Sequence, residues 1–172
     1  SATANLTISA INQSALSIST TSGTHGTNLS LATSGGSGSG SVTYSNSPGT
    51  TTCSISGSTL TANGAGTCLI TATKAGDGNY NSISSSQTTI TFAVGYRAIT
   101  TSADSHSTIT ASNNAVYGAD KEITFAPATG YSITGITVDG SALDNSSTPT
   151  LTSAVTAGSY TFTNVTATHT IS

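Results

Sequence analysis

The residues Asp104-Ser105-His106 place side by side the three residue types that serine hydrolases use in catalysis. A hydrolase needs its nucleophile, base and acid to converge in space. Adjacent residues of an extended chain point in alternating directions, and Ser105 stands in no strand-turn-helix nucleophile elbow. About two-fifths of the residues are Ser or Thr, so such a coincidence is expected. We therefore predict a solvated loop here, no catalytic residues and no enzymatic activity.

Two groups of oxygen-bearing side chains in predicted turns are candidates for a calcium site. Calcium loops of the EF-hand type close with a glutamate that supplies two oxygens, and neither group has one. Asp and Asn also shape tight turns through hydrogen bonds from the side chain to nearby backbone. We therefore predict structural turns, no metal site and no cofactor. The groups are Asp77, Asn79 and Asn81, and Asp139, Asp144 and Asn145.

The two cysteines stand in short runs that alternate between apolar and polar residues. With the period of two of a β-strand, Cys53 shares a strand face with Ile55, and Cys68 shares one with Ile70 and Ala72. If both faces look into one core, the two sulfur atoms can meet, which predicts a disulfide. Two free thiols in a cytosolic protein are the alternative, which the composition disfavours. A zinc pair needs further ligands, and this stretch has no histidine.

The same alternation runs along the whole chain and predicts an all-β fold with essentially no helix. Charged residues make up only 5% of the chain, so hydroxyl side chains take the outward strand positions. Several short strands at regular spacing indicate a sandwich or a barrel. The alternating runs cover residues 1–9, 15–20, 28–33, 41–44, 53–55, 68–72 and 88–94, and then 107–111, 121–126, 131–138, 150–155, 159–165 and 168–172.

The strand pattern restarts near the middle of the chain, which predicts two domains, residues 1–94 and 95–172. The first contains both cysteines, and the second contains most of the aromatic residues. Hairpin turns are predicted at residues 63–66 and at Asp139-Gly140, where residue types that tolerate positive φ stand between strands. The glycine-rich run 35–40 is predicted to be a mobile loop within the first domain.

Charge and hydropathy exclude two classes of partner. The net charge is −3, and the three basic side chains, Lys74, Arg97 and Lys121, are scattered. A phosphate backbone requires clustered basic residues, so we predict no nucleic-acid binding. No run of about 20 apolar residues is present, so no membrane-spanning segment is predicted. A Ser/Thr-rich chain with two cysteines is typical of secretion into an oxidising space. Without a leader at Ser1, we expect either a removed signal peptide or a piece of a longer protein.

The first half, from about Ser14 to Ala93, resembles a bacterial Ig-like repeat that occurs in tandem in large secreted surface proteins. The stretches that carry this resemblance are SALSISTTSGTHGTNLSLATSGGSGSGSVTYS and CSISGSTLTANGAGTCLITATKAGDGNYNS. The second half, from about Tyr96 to Ser172, is similar to divergent internalin-type B-repeats through VYGADKEITFAPATGYSITGITVDG and SYTFTNVTATHTIS. The resemblance implies two tandem small β-sandwich (Ig-like) domains that act as spacers or adhesion modules without enzymatic activity.

Residues 3–9, TANLTIS, resemble residues 166–172, TATHTIS. One interpretation is that the chain is cut from a tandem array, so that its first segment is the closing strand of a preceding repeat. The other is that Leu6 and Ile8 belong to a strand that completes a sheet of a neighbouring subunit. That arrangement would build an extracellular filament by β-strand donation. Both interpretations remain open.

The sequence therefore predicts a non-catalytic structural module of a bacterial surface stalk, adhesin or fibre, located outside the cell. Its expected partners are neighbouring repeats or copies of itself. A glycan-binding module is the alternative, because sugar sites stack their ligands on exposed aromatic rings. Tyr80 and Tyr131, which lie in predicted turns, are the candidate contacts to host or matrix glycans. Packing in the core is the competing role for each.

Overall fold

The computed structural model describes residues 9–172, which form 18 strands and one short helix. The predicted all-β fold is confirmed. The described chain divides into two compact units, one ending at Val94 and the other running from Gly95 to Ser172. Leu6 and Ile8, the predicted strand-donor residues, lie outside the described residues.

The described residues of the first unit form ten strands in three sheets. These strands are β1 (Leu16–Ile18), β2 (Ser22–Thr24), β3 (Leu29–Ser30), β4 (Thr33–Gly35), β5 (Val42–Ser47), β6 (Cys53–Ser56), β7 (Thr59–Ala62), β8 (Gly66–Lys74), β9 (Ile83–Ser84) and β10 (Thr88–Ala93). The largest sheet has the order β2-β10-β8-β5, with β9 beside β8. A second sheet has the order β3-β7-β6, and β1 pairs with β4.

All three sheets contribute to one hydrophobic core, and β8 is its longest strand. Cys68, Ile70 and Ala72 are fully buried, while the residues between them are only partly buried. The alternation predicted from the sequence is therefore the alternation between core and solvent. Strands β1, β7 and β10 bury apolar side chains in the same cluster.

A disulfide joins Cys53 to Cys68, with their Cα atoms 6.1 Å apart. Cys53 lies on β6 and Cys68 on β8, which belong to different sheets. Cys68 is fully buried, and Cys53 packs against the core from a partly buried position. The bond predicted from the sequence is present and links two sheets through the core.

The hairpin predicted at residues 63–66 is wrong. The turn at these residues connects β7 to β8, which lie in different sheets, so the chain crosses from one sheet to the next there. The hairpin of this region is formed by β6 and β7. It turns through Gly57-Ser58, and Gly57 has a φ of 60°, as the first position of a type II′ turn requires.

The glycine-rich run 35–40, predicted to be mobile, is held by side chains from distant parts of the chain. Gln13 is buried, and its Oε1 accepts a hydrogen bond from the Gly38 N–H at 3.0 Å. Its Nε2 donates to the carbonyl oxygens of Ala75 and Asn81. Each of these partners is at least 25 positions away from Gln13 along the chain. The composition of the run could therefore not indicate them.

The Asp77 carboxylate fastens the same run from another direction. Its Oδ2 accepts hydrogen bonds from the N–H and the hydroxyl of Ser39. Its Oδ1 accepts from the N–H groups of Asn79 and Tyr80. These bonds, first of all the one from the Ser39 N–H, lower the pKa of Asp77 from 3.8 to about 2.

This lowered pKa predicts a defined acid sensitivity. A carboxyl group whose pKa falls on folding stabilises the fold above its unfolded pKa and loses that contribution on acidification. For Asp77 the loss runs from about pH 3.8 down to about pH 2. We expect Asp77→Asn to make the free energy of unfolding depend less steeply on pH across this window. Urea midpoints across the window measure this, and an NMR titration that places the Asp77 carboxyl near pH 4 would contradict it.

The second unit contains eight strands and the helix. These are β11 (Tyr96–Thr101), β12 (Ser107–Ile109), β13 (Asn113–Val116), β14 (Lys121–Pro127), β15 (Thr137–Val138), β16 (Ser141–Ala142), α1 (Leu151–Ala157), β17 (Ser159–Phe162) and β18 (His169–Ile171). One sheet has the order β13-β11-β18-β15-β16, and the other has the order β12-β14-β17. The buried core residues are Ile99, Ala115, Ile123, Ile136, Ala154, Phe162, Val165 and Ile171.

The predicted strand at residues 150–155 is wrong, because the chain forms α1 there. Leu151, Ala154 and Val155 have the spacing of one helix face, three and four residues apart. All three pack into the core of the second unit. In so short a segment the same apolar residues fit both the period of a helix and the period of a strand. The residues at the two ends of the segment decide which structure forms.

Both ends of α1 carry helix signals. The Thr150 Oγ1 accepts a hydrogen bond from the Ser153 N–H at 3.1 Å, which caps the first turn. Gly158 follows the last turn with a φ of 69°, and its N–H donates to the carbonyls of Ala154 and Val155. This left-handed conformation ends helices and favours glycine. The caps therefore explain why this segment is not a strand.

The predicted strand at residues 131–138 forms only at its end, as β15. Strands β15 and β16 make a hairpin through Asp139-Gly140, whose φ values are 50° and 79°. Positive φ at both central residues is the type I′ turn that this dipeptide favours, so the predicted turn is confirmed. Residues 131–136 belong to no strand.

Hydroxyl side chains pair with each other across neighbouring strands. The oxygen atoms of each pair lie 2.7 to 2.8 Å apart. Such pairs stabilise strand pairing through hydrogen bonds rather than charge. The pairs are Ser17 with Ser34, Thr73 with Ser84, and Thr110 with Thr124.

Candidate functional site: an open cleft in the second unit

A cleft of about 390 Å³ opens in the second unit, where β12, β14 and residues 133–136 meet the end of β18. Its apolar lining is Ile109, Phe125, Ile133, Ile136 and Ile171. Three of these, Ile109, Phe125 and Ile133, are only partly buried. The polar lining is Ser102, Asp104, Ser107, Thr108 and Ser172. The cleft therefore combines partly exposed apolar side chains with hydroxyl groups and the side-chain carboxylate of Asp104.

Strand β12 has a free edge at the cleft. It pairs only with β14 among the described strands, and the ladder continues through the hydrogen bond from the Thr110 N–H to the Thr124 carbonyl. In an antiparallel pair, alternate residues direct their N–H and C=O groups away from the partner strand. Thr108 and Thr110 face β14, so the backbone groups of Ser107 and Ile109 point away from it.

Residues 132–135 are a second run of unpaired backbone at the cleft. Their N–H and C=O groups have no hydrogen-bond partner among the described residues. The Ile133 side chain nevertheless packs against the core of the unit. Residues 133 and 135 line the cleft together with β12. The free edge of β12 and one unpaired segment of backbone thus border one apolar cleft.

Tyr131 and His106 stack on each other beside the cleft. Their ring centroids are 4.1 Å apart with an interplanar angle of 28°, and Tyr131 is 55% exposed. The Asp104 Oδ1 accepts hydrogen bonds from the Ser107 hydroxyl and the His106 N–H. These bonds, the one from Ser107 first, lower the pKa of Asp104. The arrangement presents an aromatic surface next to an ionised carboxylate.

The same contacts define how the side chains of Asp104, Ser105 and His106 are arranged. The Ser105 Oγ lies 3.2 Å from the His106 Nδ1, but the Asp104 carboxylate binds the backbone of His106 and not its ring. In a hydrolase triad the acid orients the imidazole, and that contact is not made here. The three residues lie in an exposed turn before β12.

Of the two candidate glycan contacts, Tyr131 is the exposed one. Tyr80 is half-buried in the first unit, where its N–H donates to Asp77 and its backbone bridges to Ile11. Glycan binding at Tyr80 and at Tyr131 stays a prediction.

A second cluster of titratable groups joins the β15–β16 turn to β18. The His169 Nδ1 lies 2.7 Å from the Asp139 Oδ2, and the Thr170 N–H donates to Asp139 Oδ1. Burial by itself raises the pKa of Asp139, but the bonds from His169 and Thr170 outweigh it and lower the pKa. The His169 ring stacks on Phe162 at 4.6 Å. Burial and the charge of Asp139 raise the pKa of Tyr160. These contacts fix the closing strand.

The side chains considered as calcium ligands form hydrogen bonds within the chain. Asp144 Oδ1 accepts four hydrogen bonds, from the N–H and hydroxyl groups of Ser146 and Ser147. Asn145 Oδ1 accepts one from Thr152. Across residues 9–172, no three His, Cys, Asp or Glu side chains are grouped so that they could hold a metal ion.

Sequence reasoning missed the cleft, although one signal of it was present. Along residues 131–138 the apolar positions change parity, from Ile133 to Ile136 and Val138, and Gly135 stands at the change. A strand cannot keep one face buried through such a change. The break in pairing at residues 132–135 follows from this. No local pattern in the sequence indicates that Tyr131 stacks on His106.

Neither a family model, nor a curated protein, nor a solved structure matches this chain. In the described part of the chain, no helix is both long and apolar enough to cross a membrane.

Proposed function

We propose that this chain is a non-catalytic structural module of a bacterial surface stalk, adhesin or fibre, built from two tandem Ig-like β-sandwich domains. One observation carries the proposal: the side chain of every aspartate in the chain accepts a backbone N–H of its own fold. These aspartates are Asp77, Asp104, Asp120, Asp139 and Asp144.

This use of carboxylates favours a scaffold over an enzyme. A general base must reach the proton that it removes and needs a pKa near the working pH. Here the pKa values of Asp77, Asp104, Asp139 and Asp144 are lowered by hydrogen bonds that hold turns in place. Groups of this kind keep loops rigid and accept protons poorly.

The disulfide and the hydroxyl pairs support a location outside the cell. Disulfides persist in oxidising compartments and are rare in the cytosol. The bond between Cys53 and Cys68 links two sheets of the first unit. Hydroxyl pairs such as Ser17 with Ser34 hold strands together without charge, so their contribution depends little on the salt of the surroundings. Neighbouring repeats or further copies of the chain are the partners of such a module.

Immunogold microscopy of producing cells with antibodies to the purified chain tests this function. We expect label on extracellular fibres or stalks of cells that have not been permeabilised. Alkylation of intact cells, followed by mass spectrometry, should leave Cys53 and Cys68 unmodified unless a reductant is added first. Label confined to permeabilised cells, together with alkylated cysteines, would contradict the proposal.

A further inference from the structure

We propose that the cleft of the second unit binds residues 3–9 of another copy of this chain as an added β-strand. This inference rests on the structural function proposed above and names the partner of the module, a second copy of itself. The juxtaposition behind it is an apolar cleft bordered by the free edge of β12 and by the unpaired backbone of residues 132–135.

The backbone on both sides of the cleft is oriented to pair with an added strand. The N–H and C=O groups of Ser107 and Ile109 point away from β14, and those of residues 132–135 have no partner among the described residues. Both stretches line the cleft. An extended segment between them gains main-chain hydrogen bonds, the source of affinity in β-strand addition.

The lining of the cleft fits a strand in which every second side chain is apolar. Ile109, Phe125 and Ile133 are partly buried and face the opening. An added strand turns every second side chain toward such a lining and leaves the others in solvent. A volume of about 390 Å³ is in the range of sites that enclose a ligand of a few side chains. The cleft therefore fits a short apolar/polar alternating peptide.

Residues 3–9 have that pattern. TANLTIS alternates through Leu6 and Ile8 and has no charged side chain, so it brings no like charge close to Asp104, whose side chain is the only charged one that lines the cleft. The segment is identical to residues 166–172 at five of seven positions. In those residues β18 already pairs within this unit, and its Ile171 is 2% exposed at the base of the cleft. Ile8 corresponds to Ile171, so the segment matches a strand that this unit accommodates.

The test uses full-length variants that differ in which face of the segment carries charge. Leu6→Asp with Ile8→Asp places two carboxylates on the face that enters the cleft. Asn5→Asp with Thr7→Asp places the same charges on the opposite face and is the matched control. Self-association is measured by sedimentation over a range of concentrations. Hydrogen exchange of the Ile109 and Thr134 amides reports on the cleft.

We expect the wild type and the control to associate with at least tenfold slower exchange at these two amides. The Leu6→Asp/Ile8→Asp variant should associate at least about a hundredfold more weakly, because two buried aliphatic side chains are lost. A synthetic peptide of residues 1–10, added to this variant, should restore the slow exchange. The variant still has an intact cleft, so this result would show that the cleft itself is the acceptor.

Three results would overturn the inference. Association that survives Leu6→Asp/Ile8→Asp would place the contact on another surface. Slow exchange at the cleft in a wild type that stays monomeric would mean that the segment occupies the cleft of its own chain. A peptide that leaves exchange unchanged, while an oligosaccharide that binds Tyr131 slows it, would make the cleft a glycan site. None of these results alters the surface label or the oxidised cysteines, so the structural function is tested separately.

Discussion

Replacing Phe162 by alanine is expected to lower the free energy of unfolding by about 3 to 5 kcal/mol, the usual cost of removing a buried phenyl ring. Phe162 is 5% exposed and lies on β17 in the core of the second unit. The Tyr160 ring meets it edge-on at 4.9 Å, and the His169 ring stacks on it at 4.6 Å. Truncation leaves a cavity and also releases His169, whose side chain fastens β18 to Asp139.

Equilibrium urea unfolding measures this loss, with exchange of the Ile123 and Ile171 amides reporting on the second unit. Tyr96→Ala is the matched control, because Tyr96 is an aromatic residue of the same unit that is 55% exposed. Exposed substitutions of this kind change stability by about 0.5 kcal/mol or less. Equal losses in the two variants would mean that Phe162 is not part of a packed core.

Breaking the Cys53–Cys68 bond is expected to lower the free energy of unfolding of the first unit by about 3 kcal/mol. The bond closes a loop with a sequence separation of 15, and in the chain-entropy model a loop of that size gives a loss of about this magnitude. The loss falls on the strands that the bond joins, because β6 and β8 belong to different sheets. Typical domains are stable by only about 5 to 15 kcal/mol, so the reduced unit should melt well below the oxidised one.

Thermal unfolding with and without a reductant measures the effect, and exchange of the Ile70 amide assigns it to β8. Cys53→Ala with Cys68→Ala is the control: it should be about as unstable as the reduced wild type and should not respond to the reductant. Amides of β11 and β14 serve as an internal reference, because the second unit contains no cysteine. Identical melting of the oxidised and reduced wild type would contradict the prediction.

The structure differs from the predicted strands where the apolar residues of a short segment fit both the helix period and the strand period. Leu151, Ala154 and Val155 satisfy the spacing of a helix face, and alternation can be read through the same residues. The hydrogen bond from the Ser153 N–H to Thr150 and the left-handed Gly158 decide for the helix. Thr before a helix and Gly after it are recognised residue types at helix ends, so the sequence itself contains the signal for the helix.

The glycine-rich run 35–40 differs from the mobile loop predicted from the sequence for another reason. Glycine and serine indicate flexibility when nothing else holds the chain. Here Gln13 and Asp77 hold it from positions far away in the sequence. Which distant side chains reach a loop depends on how the sheets bring their ends together. Local composition carries no information about that.

The sequence by itself determined the all-β class, the disulfide and the Asp139-Gly140 turn. Each depends on residues that are neighbours along the chain, or on a period of two that burial on one strand face imposes locally. Only the tertiary structure decided that Tyr131 stacks on His106, that residues 132–135 stay unpaired and that a cleft opens beside β12. These features depend on which strands become neighbours in space. That choice is made by the packing of a whole core and not by any single stretch of residues.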